Sequence, residues 1–149
     1  MSDWAKQAVA QAKQREQQQR EESKASQFRA EQVATFGPDL WLKVAESFKE
    51  KCLELNNELH DKPFIFEFTA PDEFTVTKRG FDAYLQGRYE RKMHRIELRG
   101  VRLAWTGRTL HMKFNAATDK VYLEEIGRES AIPEKLAMSG LEALLNAAS

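Results

Sequence analysis

At Pro63-Phe64 the spacing of apolar residues changes from the helical period of 3.6 to the strand period of 2. That switch constrains the chain most, because it places helix first, sheet second, and leaves only the last twenty residues for a covering helix. Upstream of it, Trp41, Ala45, Phe48, Cys52, Leu55 and Leu59 recur at spacings of four and three, and Lys43, Glu46, Lys49, Glu50, Glu54 and Glu58 fill the positions between them. This pattern predicts one buried stripe on a helix that packs against a sheet. Asp61-Lys62-Pro63 ends it, since the residue before proline resists the helical region.

Downstream, Phe64, Phe66 and Phe68 share one strand face, Ala70-Pro71-Asp72 forms a turn, and Phe74 and Val76 continue the apolar face. FDAYLQ at 81–86 suits a helical turn or a strand, and the strand reading is preferred, with Gly87 permitting a bulge. If Arg99-Gly100 and Gly107-Arg108 are two-residue loops, Leu98 opposes Val101, Ile96 opposes Leu103 and His94 opposes Trp105. Trp105, Leu103 and Val101 then meet Leu110, Met112 and Phe114 on the next strand, so all the apolar residues fall on one side. Glu97, Arg102 and Lys113 form a row on the other side, with Arg95, Ala104 and His111 in the next row. Val121 and Leu123 follow the Thr118-Asp119 turn. Ser130 as a cap and Pro133 in the first turn open a last helix to about Ala147, buried through Ala137, Leu141, Leu144 and Leu145. Beside that stripe, Gly140 either lets the helix approach the sheet or is a weak point in it.

Residues 1–35 differ in kind. They hold eight glutamines among mixed charges, and the thin stripe of Trp4, Ala5, Ala8, Val9 and Ala12 is followed by only one apolar residue, Ala25, between Lys13 and Gln27. That composition favours helix but lacks the sustained a and d positions of a strong coiled coil. Gly37-Pro38-Asp39 is expected to break this extension from the second helix. The expected architecture is α+β. A Gln-rich charged helical extension over 1–35 precedes a single domain over 36–149, in which a curved antiparallel sheet of five or six strands is packed on one face by the amphipathic helix before it and by the C-terminal helix.

The 23 basic and 23 acidic residues cancel, so a charged partner must be sought in local segregation. Residues 78–113 contain ten Lys or Arg against three acids, and residues 36–77 contain four against nine. A basic outer sheet face using Arg91, Arg95, Arg102 and Lys113, with Tyr89 for stacking, would suit nucleic acid, although it lacks the row of aromatic residues that RNA-binding sheets use. Neutralisation of the basic strands by the acidic helix, within the chain or in a symmetric partner, is the favoured explanation. A second candidate is an apolar pocket between sheet and helices lined by Trp41, Phe66, Phe68, Trp105 and Phe114, as in a small-ligand carrier, for which core packing is the simpler explanation.

Catalytic chemistry finds little footing. The three histidines, at 60, 94 and 111, include two on opposite sheet faces that could not share a metal, Cys52 lies in a buried stripe, and Glu124-Glu125 point apart. No phosphate loop, nucleophile elbow or dinucleotide fingerprint occurs. The reading is therefore a non-enzymatic protein-binding or assembly module without metal or cofactor, whose partner is another protein or a second copy, with nucleic-acid binding and small-ligand carriage as alternatives. One cysteine excludes an internal disulfide, and charges throughout the opening residues exclude a secretory signal, so a cytoplasmic protein with no membrane partner is expected.

Overall fold

The computed structural model describes residues 2–125 and 131–147, and the expected Ser130 cap lies outside them. Helix α1 (Asp3–Glu58) leads into six strands, β1 (Phe64–Ala70), β2 (Glu73–Lys78), β3 (Tyr84–Glu90), β4 (Arg95–Val101), β5 (Arg108–Asn115) and β6 (Lys120–Glu125). Helix α2 (Pro133–Leu145) follows. The strands form one open, curved antiparallel sheet in sequence order, and both helices pack on one face of it.

The anticipated break at Gly37-Pro38-Asp39 does not occur, because α1 is a single 56-residue helix with Pro38 inside it. Proline deprives the Ala34 carbonyl of its helical donor, but Ala34 is exposed, where an unpaired carbonyl costs little. Burial of Val33 on one side and Trp41 on the other holds the helix across the proline. Gly37 acts through its lack of a side chain, since a Cβ there would stand 2.8 Å from Met112 Sδ and 2.9 Å from Tyr89 Oη. It is a contact point between helix and sheet.

Under the second half of α1 lies an aromatic cluster. Phe74 of β2 is fully buried, with ring centroids 5.5 Å from Trp41, 5.0 Å from Phe48 and 5.3 Å from Phe66. Trp41 also stacks on Tyr89 at 5.9 Å and donates its indole N–H to the Pro71 carbonyl. Gly87 of β3, opposite Phe74, forms no bulge; a Cβ there would overlap the Phe74 ring, so the strand needs glycine to seat it. The 81–86 segment is strand only from Tyr84 onward.

The expected hairpin at Arg99-Gly100 does not form either. Gly100 lies within β4 and pairs with Leu85 of β3, while the β3–β4 connection is a 3-10 turn at Arg91–Met93 closed by His94 in the left-handed region. Strand β4 meets β5 with Ile96 opposite Leu110 and Leu98 opposite Arg108, so residues 102–107 form a connection in which Leu103 and Trp105 are half-buried. His94 therefore does not oppose Trp105. The inward set of Ile96, Leu98, Leu110 and Met112 is buried as expected, and Val121 and Leu123 continue it on β6. Helix α2 buries Ala137, Gly140, Leu141 and Leu144. Gly140 is a close approach, 3.3 Å from both Phe48 and Trp105 measured from a would-be Cβ.

The free edge of β1 is partly closed by Asn56, whose side chain accepts from the Phe64 amide at 3.0 Å and donates to the Phe64 carbonyl at 2.9 Å.

Two substitutions test this register by denaturant unfolding. Leu98→Ala should cost roughly 2–5 kcal/mol, because it empties a closed position, and half-buried Leu103→Ala less than half of that. Gly87→Ala should cost about 1–3 kcal/mol by overpacking Phe74, whereas Thr75→Ala on the uncovered face should stay within about 0.5 kcal/mol.

Candidate functional site

The four candidate cations do not form one patch. Arg91 lies in the β3–β4 turn, where its Nε and Nη2 donate to the two oxygens of Asp72 at 2.8 and 2.9 Å while its guanidinium sits 5.1 Å from the Tyr89 ring. The hydrogen bond to Asp72 holds the guanidinium still more firmly protonated. Arg95 is bound on the outer face between Glu90 at 2.9 Å and Glu97 at 3.4 Å. Arg102, expected beside Glu97, pairs instead with Asp82 at 3.4 Å in the 102–107 connection. At about 3.3 Å per strand residue, that is about 23 Å from Arg95, one residue past the end of β4. Lys113 shares the outer face with Arg95, on the adjoining strand, and has no carboxylate partner among the described residues. Tyr89, the proposed stacking residue, faces inward and is buried against Trp41.

Neutralisation of the basic strands is thus built into the sheet and its turns. Arg88 reaches Glu73 at 3.9 Å, Gln86 bridges Glu73 and Arg99, and Arg108 meets Glu125 at 2.8 Å. The partners come from neighbouring strands and turns, and the acidic α1 supplies none of them.

The five residues of the candidate apolar pocket separate into three places. Trp41, Phe66 and Phe68 belong to the cluster around Phe74, with Phe68 half-exposed at its margin. Trp105 lies under α2 and donates its indole N–H to Ser139 at 3.2 Å. Phe114 takes the edge of Phe28 from α1 at 5.5 Å. Their faces are occupied by one another and by the helices.

Among groups capable of chemistry, Cys52 is buried and its thiol is pushed up to about 12 by burial. Burial also raises Tyr89. His111 stands on the outer face between Arg95 and Glu124, and His94 lies in the β3–β4 turn. No three His, Cys, Asp or Glu side chains among the described residues could hold a metal ion.

Two features were not assembled from the sequence. The first is the free length of α1. Every residue from Lys6 to Glu31 is exposed, and the helix first touches the sheet layer at Phe28, so an arm of about 36 Å projects from the domain. Trp4 near its tip is 77% exposed and Val9 50%. The second is a groove of about 460 Å³ between α1 and α2, floored by Leu55, Met138 and Leu141 and rimmed by Glu54, Glu58 and Glu142. A separate depression of about 290 Å³ lies at the start of α2, beside Glu46, Glu50 and Glu134. Together they present six glutamates against Lys43 and Lys51, and Lys51 is itself held by Glu54 at 3.1 Å and Glu134 at 3.4 Å. The signal was present in the sequence as Glu46, Glu50, Glu54 and Glu58, four apart, but only the position of α2 sets Glu54 and Glu58 on the groove and Glu46 and Glu50 on the neighbouring depression.

The chain matches no family model, and no curated protein or solved structure is significantly similar to it.

The thiol offers a direct check on the core. At about pH 8 Cys52 should resist Ellman's reagent in the folded protein and react at once in denaturant. Its folded pKa lies above the unfolded value of 9.0, so its contribution to stability is complete below that value and is lost as pH rises towards about 12. Rapid native labelling would place the thiol at the surface.

Proposed function

We propose that this protein is a non-enzymatic binding or assembly module whose contact element is the helical arm, and that its partner is another protein. The observation that carries this reading is the arm itself: residues 6–27 form uninterrupted helix, all exposed, before Phe28 makes the first ring contact with the domain. A helix that is polar nearly all round gains little from its own chain beyond a few i,i+4 contacts, here Gln17–Glu21 and Gln27–Glu31. Its single concentration of apolar surface, Trp4 with Val9, is at the end furthest from the core. Large exposed aromatic residues at the tip of a projecting element are what protein interfaces use as anchors.

The other two readings have less support. Nucleic-acid binding would have to separate Arg91, Arg95 and Arg102 from their carboxylates, and a ligand carrier would have to open an aromatic cluster that fills its own space. No described helix is long and apolar enough to cross a membrane, and a cytoplasmic location belongs to the proposal.

The experiment is to isolate the full-length chain at physiological salt and weigh what elutes. The expected result is a mass above the 17.2 kDa of one copy, from self-association or a bound protein, that returns to one copy in Trp4→Glu/Val9→Glu. An assembly indifferent to that variant would contradict the proposal. So would nucleic acid that copurifies and is lost in Arg95→Ala/Arg102→Ala/Lys113→Ala, with a log–log salt slope that flattens by about one unit per removed cation.

A further inference from the structure

We infer that the groove between α1 and α2 receives the arm of a second copy of this chain, so that two molecules exchange arms across antiparallel α1 helices. The inference rests on the arm being a protein-contact element and names what it contacts.

Charge comes first. The Glu46–Glu50–Glu54–Glu58 ladder places like charges four residues apart, an arrangement that weakens a helix unless something opposes it. Lys51 satisfies Glu54 and Glu134, but Glu46, Glu50, Glu58 and Glu142 have no cationic partner among the described residues. Near the tip the arm has the opposite balance. From Asp3 to Arg20, Lys6, Lys13, Arg15 and Arg20 stand against Asp3 and Glu16, and none of the four cations is ion-paired among the described residues.

Shape and chemistry agree with charge. The groove floor is apolar, with Met138 47% exposed, and it lies between two helices, the setting in which an amphipathic helix lays an apolar face into a partner. Trp4 and Val9 bound such a face, with Ala5, Ala8 and Ala12 between them.

Topology then excludes the arm's own groove. Trp4 and Lys51 belong to one continuous helix and are about 70 Å apart at about 1.5 Å per residue, so the tip cannot fold back on its own domain. The occupant must come from another molecule. Because tip and groove sit at opposite ends of the same helix, laying two α1 helices antiparallel carries each tip to the other's groove at once. The result is a closed twofold dimer in which the same pair of contacts occurs twice.

The test uses full-length chains in sedimentation equilibrium with circular dichroism as the check on folding. Wild type should dimerise. Lys6→Glu/Lys13→Glu/Arg15→Glu on the arm and Glu50→Lys/Glu54→Lys/Glu58→Lys in the groove should each weaken the dimer tenfold or more. An equimolar mixture of the two variants should regain it, because the acidic arm then meets the basic groove and the unaltered arm meets the unaltered groove. Misfolded variants could not reconstitute in this way. Wild type that stays monomeric up to about 1 mM, variants that dimerise like wild type, or a mixture that stays monomeric would each overturn the inference. A monomer that still carries a different protein released by Trp4→Glu/Val9→Glu would overturn arm exchange while leaving the arm's binding role intact.

Discussion

The rest of the structure depends on the seating of one half of α1 against Phe74. Burying Trp41, Phe48 and Phe66 around that ring brings the helix, β1, β2 and the β3 backbone within contact distance. Gly87 makes room beneath the ring and Gly37 lets the helix touch Met112 and Tyr89. These contacts fix the direction of the helix, and stiffness does the remainder. A helix clamped from Val33 to Cys52 has no reason to bend earlier, so the residues before Phe28 are carried outward as a lever. The arm's position is thus a consequence of core packing at a distance.

The same clamp accounts for the division of charge. Arginines of the sheet and its turns find carboxylates on neighbouring strands and turns, which leaves the glutamates along α1 without the role that segregation in the sequence suggested for them. They line the helix on the side where α2 leaves a groove. One domain therefore carries an acidic, apolar-floored recess at one end of α1 and an exposed, basic, Trp-bearing tip at the other.

Much of this was legible in the sequence because side-chain parity within an unbroken strand does not depend on which strand it pairs with, although it is lost at Val101, where the expected turn is absent. The change of period at Phe64, the inward set of Ile96, Leu98, Leu110 and Met112, and the final helix from Pro133 could all be read. The partners could not. Arg99-Gly100 has the residues of a tight turn, yet Gly100 continues β4 beside Leu85, and the chain turns instead at Arg91–Met93, where His94 adopts the left-handed conformation. Gly37-Pro38 likewise resembles a break, and burial on both sides overrides it. In both places a local conformational preference of about 1–3 kcal/mol was outweighed by tertiary contacts that no short window contains. The site suffered most from this. Arg102 and Tyr89 were placed on the wrong surface because their strand partners or facing were wrong, and the groove was invisible until α2 was positioned.

Helix α1 crosses Pro38 unbroken as one rigid rod and carries its first half clear of the domain. Electron–electron double resonance between spin labels at Gln18→Cys and Leu53→Cys, both exposed positions, in a Cys52→Ala background measures this directly. The labelled chain is diluted in excess unlabelled protein to isolate distances within one molecule. An unbroken helix predicts a single narrow distribution near about 52 Å. A broad distribution, or one centred well below that length, would mean that the chain bends at Gly37-Pro38 and that the arm is not fixed by the core.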